Sequence, residues 1–395
     1  MRTYQIVFGI MLICYLPRQN PIWAQSSEVC LDAVEVTSSP KRPSYENELQ
    51  LKLELDFNGK KVKNLIDLNS SIETITRVEL IYSVCKHQLG FNQDRLNTER
   101  IKNLKKNNKL FSNPMIQWST YENKNCINRE EGKKLFHGFI VHYRPTPTTE
   151  SSKKELDIIR TKIFPEPTKS ISTKEDLSSC GHQPILKDEV VEKVLERNKQ
   201  WSELLIVADL TGSMYPYTIQ LITWFKLKSL DKKVKSLMFF NDGDLKPDKD
   251  KIPLSTGGLY FGQTSSYEDI AKIAEKTMSS GYGGDIEEND VEAVISGIEK
   301  CSTCKDVILI ADNYASMRDF KFIEKITKPV HIIICGYNGL IHPEYLYLAW
   351  KTGGSIHTIE EDISNISKIH EGETIKIGKQ NYLIKNQKFI RIKEI

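Results

Sequence analysis

Hydrophobic residues follow two periodicities along this chain, and the change from one to the other divides it into regions. In the first part, apolar and polar residues alternate over 51–57, and residues 77–84 and 135–143 also have strand character. Alternation with a period of two is typical of strands that bury one face. Residues 96–110 are polar and predicted to be helical. We therefore predict a separate β-rich domain over residues 26–143.

In the second part, short unbroken apolar runs alternate with helical spacing. The apolar run at 204–208 is typical of a strand covered on both faces. Further strands are predicted at 234–240, 306–311, 330–335 and 355–359, and 257–261 resembles an edge strand. Helices are predicted at 216–230, 267–278, 290–300, 317–326 and 343–351. This alternation requires right-handed crossovers. The fold class predicted for residues 201–364 is therefore α/β, with a doubly wound, mostly parallel sheet.

The composition changes between and after these regions. Residues 144–186 are rich in Pro, Thr, Ser, Lys and Glu, which cannot bury enough surface to form a core. We interpret 144–200 as a linker that ends in a lead-in helix. Residues 365–395 alternate like small β-hairpins, and we predict a C-terminal β extension that packs on a domain.

Residues 1–25 have the pattern of a signal peptide. A positive start at Arg2, a short apolar core and a small-residue site ending at Ala24 predict cleavage before Gln25. A lipoprotein anchored through Cys14 and an uncleaved anchor are the alternatives. No later stretch is long and apolar enough to span a bilayer. We expect an exported protein, periplasmic or at the cell surface or secreted, with no transmembrane segment in the mature chain.

Cysteines are expected to be oxidised in that setting. Cleavage leaves seven: Cys30, Cys85, Cys126, Cys180, Cys301, Cys304 and Cys335. Because the number is odd, at least one thiol is free or pairs between chains, and Cys335, inside an apolar strand, is the predicted inert one. We predict a local disulfide between Cys301 and Cys304. A zinc site built from Cys85, His87, Cys180 and His182 is an alternative to disulfides at those cysteines.

Charge gives no indication of a polyanionic partner. The 55 basic residues are nearly balanced by 52 acidic ones, which gives a net charge of +3. The Lys-rich stretch at 102–109 is interrupted by Asn and is interpreted as a solvated surface. We predict no nucleic-acid partner.

The candidate chemistry lies where the first strand of the α/β region ends. Asp209, Thr211 and Ser213 alternate in the loop after the apolar run, so that their oxygens can face one point. Open α/β sheets bind ligands at the carboxyl ends of their strands, and hard cations such as Mg²⁺ prefer oxygen ligands. Helix capping is the alternative, with Pro216 in the first turn of the next helix.

Two further loops occur in an order that carries a resemblance. Residues 283–289 read Gly-Gly-Asp-Ile-Glu-Glu-Asn, and Asp312 ends another apolar run. With the first loop, these residues resemble the metal-ion-dependent adhesion site of von Willebrand factor A-type domains, of an exported bacterial kind. The resemblance covers roughly residues 202–364. It implies an α/β domain whose cation is held by three loops, and the β-rich region resembles no family.

The resemblance implies the ligands Asp209, Thr211, Ser213, Glu288 and Asp312, with Asp285 and Glu287 as alternatives in the second loop. The second loop departs from the family because Glu287 stands where Pro is usual, and Asn313 replaces a usual Gly. The implied cofactor is Mg²⁺, with Mn²⁺ or Ca²⁺ as substitutes. The implied partner is a protein that offers an Asp or Glu side chain to an open coordination position.

The expected function is therefore cation-dependent protein binding without an enzymatic reaction. A structural subunit of an envelope or surface assembly is one alternative. A metal-dependent hydrolase is another, with His331, His342 or His357 as the base, although no nucleophile motif accompanies them. The acidic stretch at 241–244 is interpreted as a plain turn, with an auxiliary cation site as the alternative.

Overall fold

The structure is a computed structural model that describes residues 33–35, 49–63, 72–83, 91–123, 128–146, 148–163, 188–228, 233–264, 266–281, 283 and 287–392. The predicted signal peptide lies outside these residues, as do Cys30, Cys85, Cys126, Cys180 and the alternative ligand Asp285. Within the described part, no helix is both long and apolar enough to cross a membrane.

Five strands form the N-terminal sheet, in the order β1-β4-β3-β5-β2. They are β1 (Ala33–Glu35), β2 (Leu49–Glu54), β3 (Ile72–Ser83), β4 (Gln117–Asn123) and β5 (Gly138–Pro145), accompanied by helices α1 (Gln93–Asn107) and α2 (Arg129–Gly132). Strands β3 and β4 run parallel, and the other neighbours are antiparallel. Val78, Leu80, Phe139 and Val141 are fully buried. The predicted β-rich region is therefore a sheet with a core of its own.

A β-bulge interrupts the pairing of β3 with β5. Ile72 pairs with Pro145 and Thr74 with Arg144, which leaves Glu73 as the extra residue between them. A bulge bends its strand and changes the direction of a side chain. The bulge brings Glu73 next to Arg144 at the end of β5.

Helix α3 (Thr149–Ile163) occupies part of the stretch that composition predicted to be a linker. Leu156 is buried in a core cluster, and Arg160 Nε donates to Glu275 Oε1 at 2.8 Å. Residues 149–163 of the predicted linker therefore form a helix that packs against the α/β region.

The α/β region contains a seven-stranded sheet of order β14-β13-β12-β10-β6-β7-β8 and a separate parallel pair, β9 with β11. The strands are β6 (Leu204–Asp209), β7 (Val234–Phe240), β8 (Leu259–Gln263), β9 (Glu287–Glu288), β10 (Val307–Asp312), β11 (Ser316–Met317), β12 (Val330–Cys335), β13 (Ser355–His357) and β14 (Asp362–Ile363). The four neighbour pairs from β13 to β7 are parallel, and only the edge strands β14 and β8 pair antiparallel. The mixed α/β class is confirmed.

Helices pack against both faces of this sheet. They are α4 (Val190–Arg197), α5 (Tyr215–Lys228), α6 (Tyr267–Ser280), α7 (Asp290–Lys300) and α8 (Pro343–Thr352). Leu205 and Val207 of β6 point into the core with α7 and α8, while Ile206 and Ala208 point into the core with α4, α5 and α6. Burial of both faces explains the unbroken apolar runs.

Two local predictions need correction or confirmation. The helix predicted at 317–326 is shorter in the structure and is a 3₁₀ helix, Phe320–Lys325. Its predicted first residue, Met317, pairs with β9 instead. The C-terminal extension is confirmed as three antiparallel strands, β15 (Thr374–Ile377), β16 (Gln380–Lys385) and β17 (Lys388–Ile392). It packs on α8, where the rings of Trp350 and Phe389 are 6.2 Å apart.

Both cysteine predictions that fall on described residues are confirmed. Cys301 and Cys304 form a disulfide in the turn between α7 and β10. Cys335 is a free thiol, buried at the end of β12.

Candidate metal centre

Asp209 and Asp312 end two adjacent parallel strands and therefore reach the same edge of the sheet. Ile310 of β10 lies opposite Ala208 of β6, so Asp312 ends its strand one residue further along than Asp209 does. Each carboxylate also closes the turn that follows it. Asp209 Oδ1 accepts the Thr211 N–H at 2.7 Å, and Asp312 Oδ1 accepts the Tyr314 N–H at 2.9 Å. One oxygen of each acid is thus fixed by its own loop.

The two predicted hydroxyl ligands lie side by side in the first loop. Thr211 Oγ1 and Ser213 Oγ are 3.3 Å apart, with Thr211 buried and Ser213 half-buried. The capping alternative fails for the 3₁₀ helix Gly212–Met214, because Thr211 stands at its N-cap without a side-chain capping bond. The Thr211 hydroxyl instead contacts Ser213 Oγ and hydrogen-bonds the Asp209 side chain, so the three side chains lie together.

The second loop directs one of its two adjacent glutamates inward. Glu288 is buried, whereas the side chain of Glu287 is 57% exposed. Pairing of β9 with β11 fixes this orientation, and the Arg318 N–H donates to Glu288 O at 2.8 Å. Of the second-loop candidates that the structure describes, Glu288 is the one that faces the strand-end acids.

Asp290, which the sequence reasoning did not select, is a fourth buried acid at this place. It begins α7 and is fully buried, with Oδ2 3.5 Å from the Tyr345 hydroxyl. Acids in the first turn of a helix are common for reasons unrelated to ligands, so the sequence carried no distinguishing signal. We name Asp209, Glu288, Asp290 and Asp312 together the acidic edge.

Negative charge is poorly compensated at the acidic edge. Burial, with the charges of Asp312 and Asp242, raises the pKa of Asp209 to about 8. Burial, followed by the surrounding carboxylates, raises the pKa of Glu288 and of Asp290 well above the usual range. Among the described residues, no Lys or Arg pairs with these three acids. Glu288 Oε2 and Asp290 Oδ1 are buried without a hydrogen-bond partner. Buried carboxylates in this condition are costly unless a cation compensates them.

The donor set fits a hard divalent cation. Carboxylate and hydroxyl oxygens are the ligands that Mg²⁺ and Ca²⁺ prefer. Within the described ranges, no three His, Cys, Asp or Glu side chains form a compact metal-binding group. A cation at the acidic edge would therefore depend on Thr211, Ser213 and water in addition to carboxylates.

The loop after β7 contains a buried ion-pair network instead of a second cation site. Asp242 is fully buried and pairs with Lys251 at 2.5 Å and with Arg318 at 2.8 Å. The Asp244 N–H donates to Asn241 Oδ1 at 2.9 Å, as expected for a turn. The turn interpretation is therefore favoured. Arg318 also donates to the Glu287 carbonyl, so this network supports the second loop.

Asn313, which stands where Gly is usual in the resembled family, supports the third loop through its side chain. Its φ is not positive. Its side-chain amide donates to Leu340 O at 2.8 Å, and its Oδ1 accepts the His342 N–H at 3.0 Å. The departure from the resembled family is thus accommodated by two hydrogen bonds.

A polar chain at the opposite edge of the sheet has the residue types of a hydrolytic triad. Ser355 Oγ lies 2.6 Å from His357 Nε2, and His357 Nδ1 lies 2.6 Å from Asp362 Oδ1. Ser355 Oγ also contacts His331 Nδ1 at 2.6 Å, and Ser355 is only 4% exposed. The nearby open cavity of about 770 Å³ is lined by Trp201 and Arg197 and does not include the serine. We therefore interpret these hydrogen-bonded side chains as a buried structural network.

This network predicts acid sensitivity. Burial lowers the pKa of His357 to about 4, against about 6.5 in the unfolded chain. Between these values the unfolded state binds a proton that the folded state excludes, so the contribution of His357 to stability is complete above pH 6.5 and is lost as pH falls towards 4. We expect a loss of up to about 3 kcal/mol from this histidine, at about 1.4 kcal/mol per pKa unit.

Urea unfolding at pH 7.0 and pH 4.5 measures this loss. The His357→Gln variant, although less stable at pH 7.0, is expected to show a smaller difference between the two pH values. His370→Gln, at an exposed histidine, is the control and is expected to keep the parent's difference. An unchanged difference in His357→Gln would contradict the assignment.

Comparison with known proteins adds no relative. The chain matches no protein-family model, and the search of curated proteins finds no match. The geometry of the acidic edge is therefore the basis for assigning a function.

Proposed function

We propose that this chain is an exported, cation-dependent protein-binding module built on a doubly wound domain of the von Willebrand factor A type. The central parallel strands, the helices on both faces and the three loops that meet at one edge support this fold assignment. The cation would be Mg²⁺, with Mn²⁺ or Ca²⁺ as substitutes. Its protein ligands would come from Asp209, Thr211, Ser213, Glu288 and Asp312.

The observation that carries the proposal is the burial of Asp209, Glu288 and Asp290 without a positive partner, beside the hydroxyls of Thr211 and Ser213. A carboxylate oxygen buried without a hydrogen-bond partner destabilises the folded protein. Folded proteins retain such strain where function requires it. A divalent cation at this edge would satisfy the acids and use the hydroxyls, which explains both features together.

The residues of the site would give the binding its selectivity. When bound, the cation supplies an electrophilic position to which an oxygen ligand of a partner can coordinate. Thr211 and Ser213 are neutral, so they leave more of the positive charge uncompensated than two further carboxylates would. An incoming Asp or Glu side chain is then preferred over Asn or Gln.

A structural cation is the second candidate, and a specific observation favours it. Four acids are buried at the edge, and a cation coordinated by several ionised carboxylates would no longer attract another one. In that case the cation would hold the three loops rigid, and partner binding would not depend on it. Such a role suits a subunit of an envelope or surface assembly.

Immobilised peptides distinguish these functions. We would prepare an array in which each peptide occurs in an Asp or Glu version and in a matched Asn or Gln version. The full chain would then be applied in Mg²⁺ and in EDTA. We expect binding of the acidic versions in Mg²⁺ alone, and loss of that binding in Asp312→Ala. Asp306→Ala, at the opposite end of the strand, is the control.

Peptide binding that is equal in Mg²⁺ and EDTA would reject cation-dependent capture. If EDTA also lowered the melting temperature of the Mg²⁺-loaded protein, the structural candidate would stand. If EDTA changed neither peptide binding nor the melting temperature, both candidate functions would be rejected.

A further inference from the structure

Arg144 reaches from the N-terminal sheet to the acidic edge. Its Nη2 lies 3.2 Å from Asp312 Oδ2, and both side chains are largely buried, at 12% and 7% exposure. The guanidinium also lies over the ring of Tyr314, with Cζ 5.3 Å from the ring centroid. A buried, charge-assisted hydrogen bond of this kind holds the two sheets together.

A second contact fixes the same junction without charge. Asn113 Nδ2 donates to the carbonyl of Tyr314 at 2.9 Å. Asn113 and Arg144 therefore both hydrogen-bond to the end of β10 and the loop that follows it. The N-terminal sheet is docked on the third loop of the candidate metal centre.

The guanidinium bonds to the oxygen of Asp312 that its own loop leaves available. Oδ1 accepts the Tyr314 N–H, and Oδ2 accepts Arg144. A divalent cation bound to Oδ2 would stand next to the positive guanidinium, and like charges at such a distance repel strongly in a buried site. Cation binding and the Arg144 contact are therefore in competition.

Glu73 gives Arg144 an alternative partner. The bulge in β3 leaves Glu73 beside Arg144, and Glu73 is half-buried. Burial raises the pKa of Glu73 to about 7, the charge of Arg144 lowers it, and the charge of Asp312 raises it. Arg144 thus lies between two carboxylates, one on its own sheet and one in the metal centre.

We propose that Arg144 is a tethered counter-ion, which neutralises Asp312 in the cation-free protein and is displaced towards Glu73 when a divalent cation binds. Cation binding would then loosen the docking of the N-terminal sheet, and docking would lower cation affinity by the same factor, because linkage between two binding events is reciprocal. This inference rests on the proposed cation site.

Calorimetric titration of the full chain with Mg²⁺ and Mn²⁺ tests the proposal. Arg144→Gln removes the charge and is expected to raise cation affinity about 10-fold, within the range of about 5- to 150-fold typical of coupled sites. Arg77→Gln is the matched control, because Arg77 lies on the same sheet and contacts Glu79 and His142 instead. Its affinity is expected to stay within about 2-fold of the parent.

A second variant separates docking from simple charge removal. Asn113→Ala changes no charge and removes the bond to Tyr314, together with the local bond that Asn113 Oδ1 accepts from the Met115 N–H at 2.8 Å. It is expected to raise cation affinity about 3-fold, which corresponds to part of one hydrogen bond. Circular dichroism confirms folding of each variant before titration.

The outcomes separate this inference from the proposed function. Parent binding with unchanged or weaker affinity in Arg144→Gln overturns the counter-ion role while the cation site stands. An unchanged affinity in Asn113→Ala overturns the linkage to docking. If neither the parent nor any variant binds Mg²⁺ or Mn²⁺, the site itself is rejected and the counter-ion role with it.

Discussion

Glu288→Gln is expected to stabilise the protein in EDTA and to abolish its stabilisation by Mg²⁺. In the parent, Glu288 is surrounded by Asp209, Asp290 and Asp312, and its Oε2 has no hydrogen-bond partner. An amide of the same shape carries no charge to be buried. We expect a gain of about 1–3 kcal/mol in the free energy of unfolding without cation.

The gain should depend on pH. The pKa of Glu288 is raised in the folded protein, so the unfolded chain releases its proton first as pH rises. The ionisation of Glu288 therefore lowers the stability of the parent above about pH 4.5, and the advantage of Glu288→Gln over the parent is expected to grow from pH 5 to pH 7. If Glu288 served only to stabilise the fold, Glu288→Gln would lower the free energy of unfolding instead of raising it.

Thermal unfolding with EDTA or with saturating Mg²⁺ checks this prediction. The parent is expected to melt several degrees higher with Mg²⁺, and Glu288→Gln to melt at one temperature in both solutions. Glu287→Gln is the neighbouring control and should behave like the parent, because its side chain faces solvent. A destabilised Glu288→Gln that still responds to Mg²⁺ would show that Glu288 is not a ligand.

Asp242→Ala is expected to cause the largest loss of stability of any single substitution considered. Asp242 is the shared partner of Lys251 and Arg318, whose side chains are 1% and 6% exposed. Removing the carboxylate leaves two positive charges buried, and breaking a buried pair in this way costs about 3–5 kcal/mol. The melting temperature should fall by about 10 °C, at about 2–4 °C per kcal/mol for a region of this size.

Urea unfolding monitored by tryptophan fluorescence measures the loss. Asp248→Ala provides the control, because Asp248 also pairs with Lys251, at 3.0 Å, but is 53% exposed. An exposed pair contributes about 1 kcal/mol or less. Similar losses in the two variants would show that the buried network is not the source of stability.

The strand-end acids could be predicted because their positions follow from chain order alone. Asp209 and Asp312 each follow an unbroken apolar run, and parallel strands bring their carboxyl ends to one edge. The ligands in the first and third loops could therefore be predicted from the sequence alone. The inward Glu288 was chosen over Glu287 only through the resemblance, since two adjacent acids give no pattern that shows which is buried.

Other features depend on tertiary contacts that sequence patterns do not contain. Arg144 and Asp312 are separated by 168 positions, and the Pro- and Thr-rich composition that follows Arg144 suggested a linker. Strand β4 was missed because its residues, Gln117–Asn123, do not alternate. Ser355, His357 and Asp362 meet only because a short antiparallel pair brings β14 back beside β13.

The buried Cys335 lies directly beside Asp312 in the strand register, and its backbone carbonyl accepts the Asn313 N–H at 3.0 Å. Burial and the nearby acids hold the pKa of this thiol well above its usual range. A thiol in that state reacts with alkylating reagents only after the protein around it has opened. Cys335 therefore acts as a built-in reporter beside the candidate metal centre. The rate at which its thiol is alkylated measures how often that part of the molecule opens to solvent.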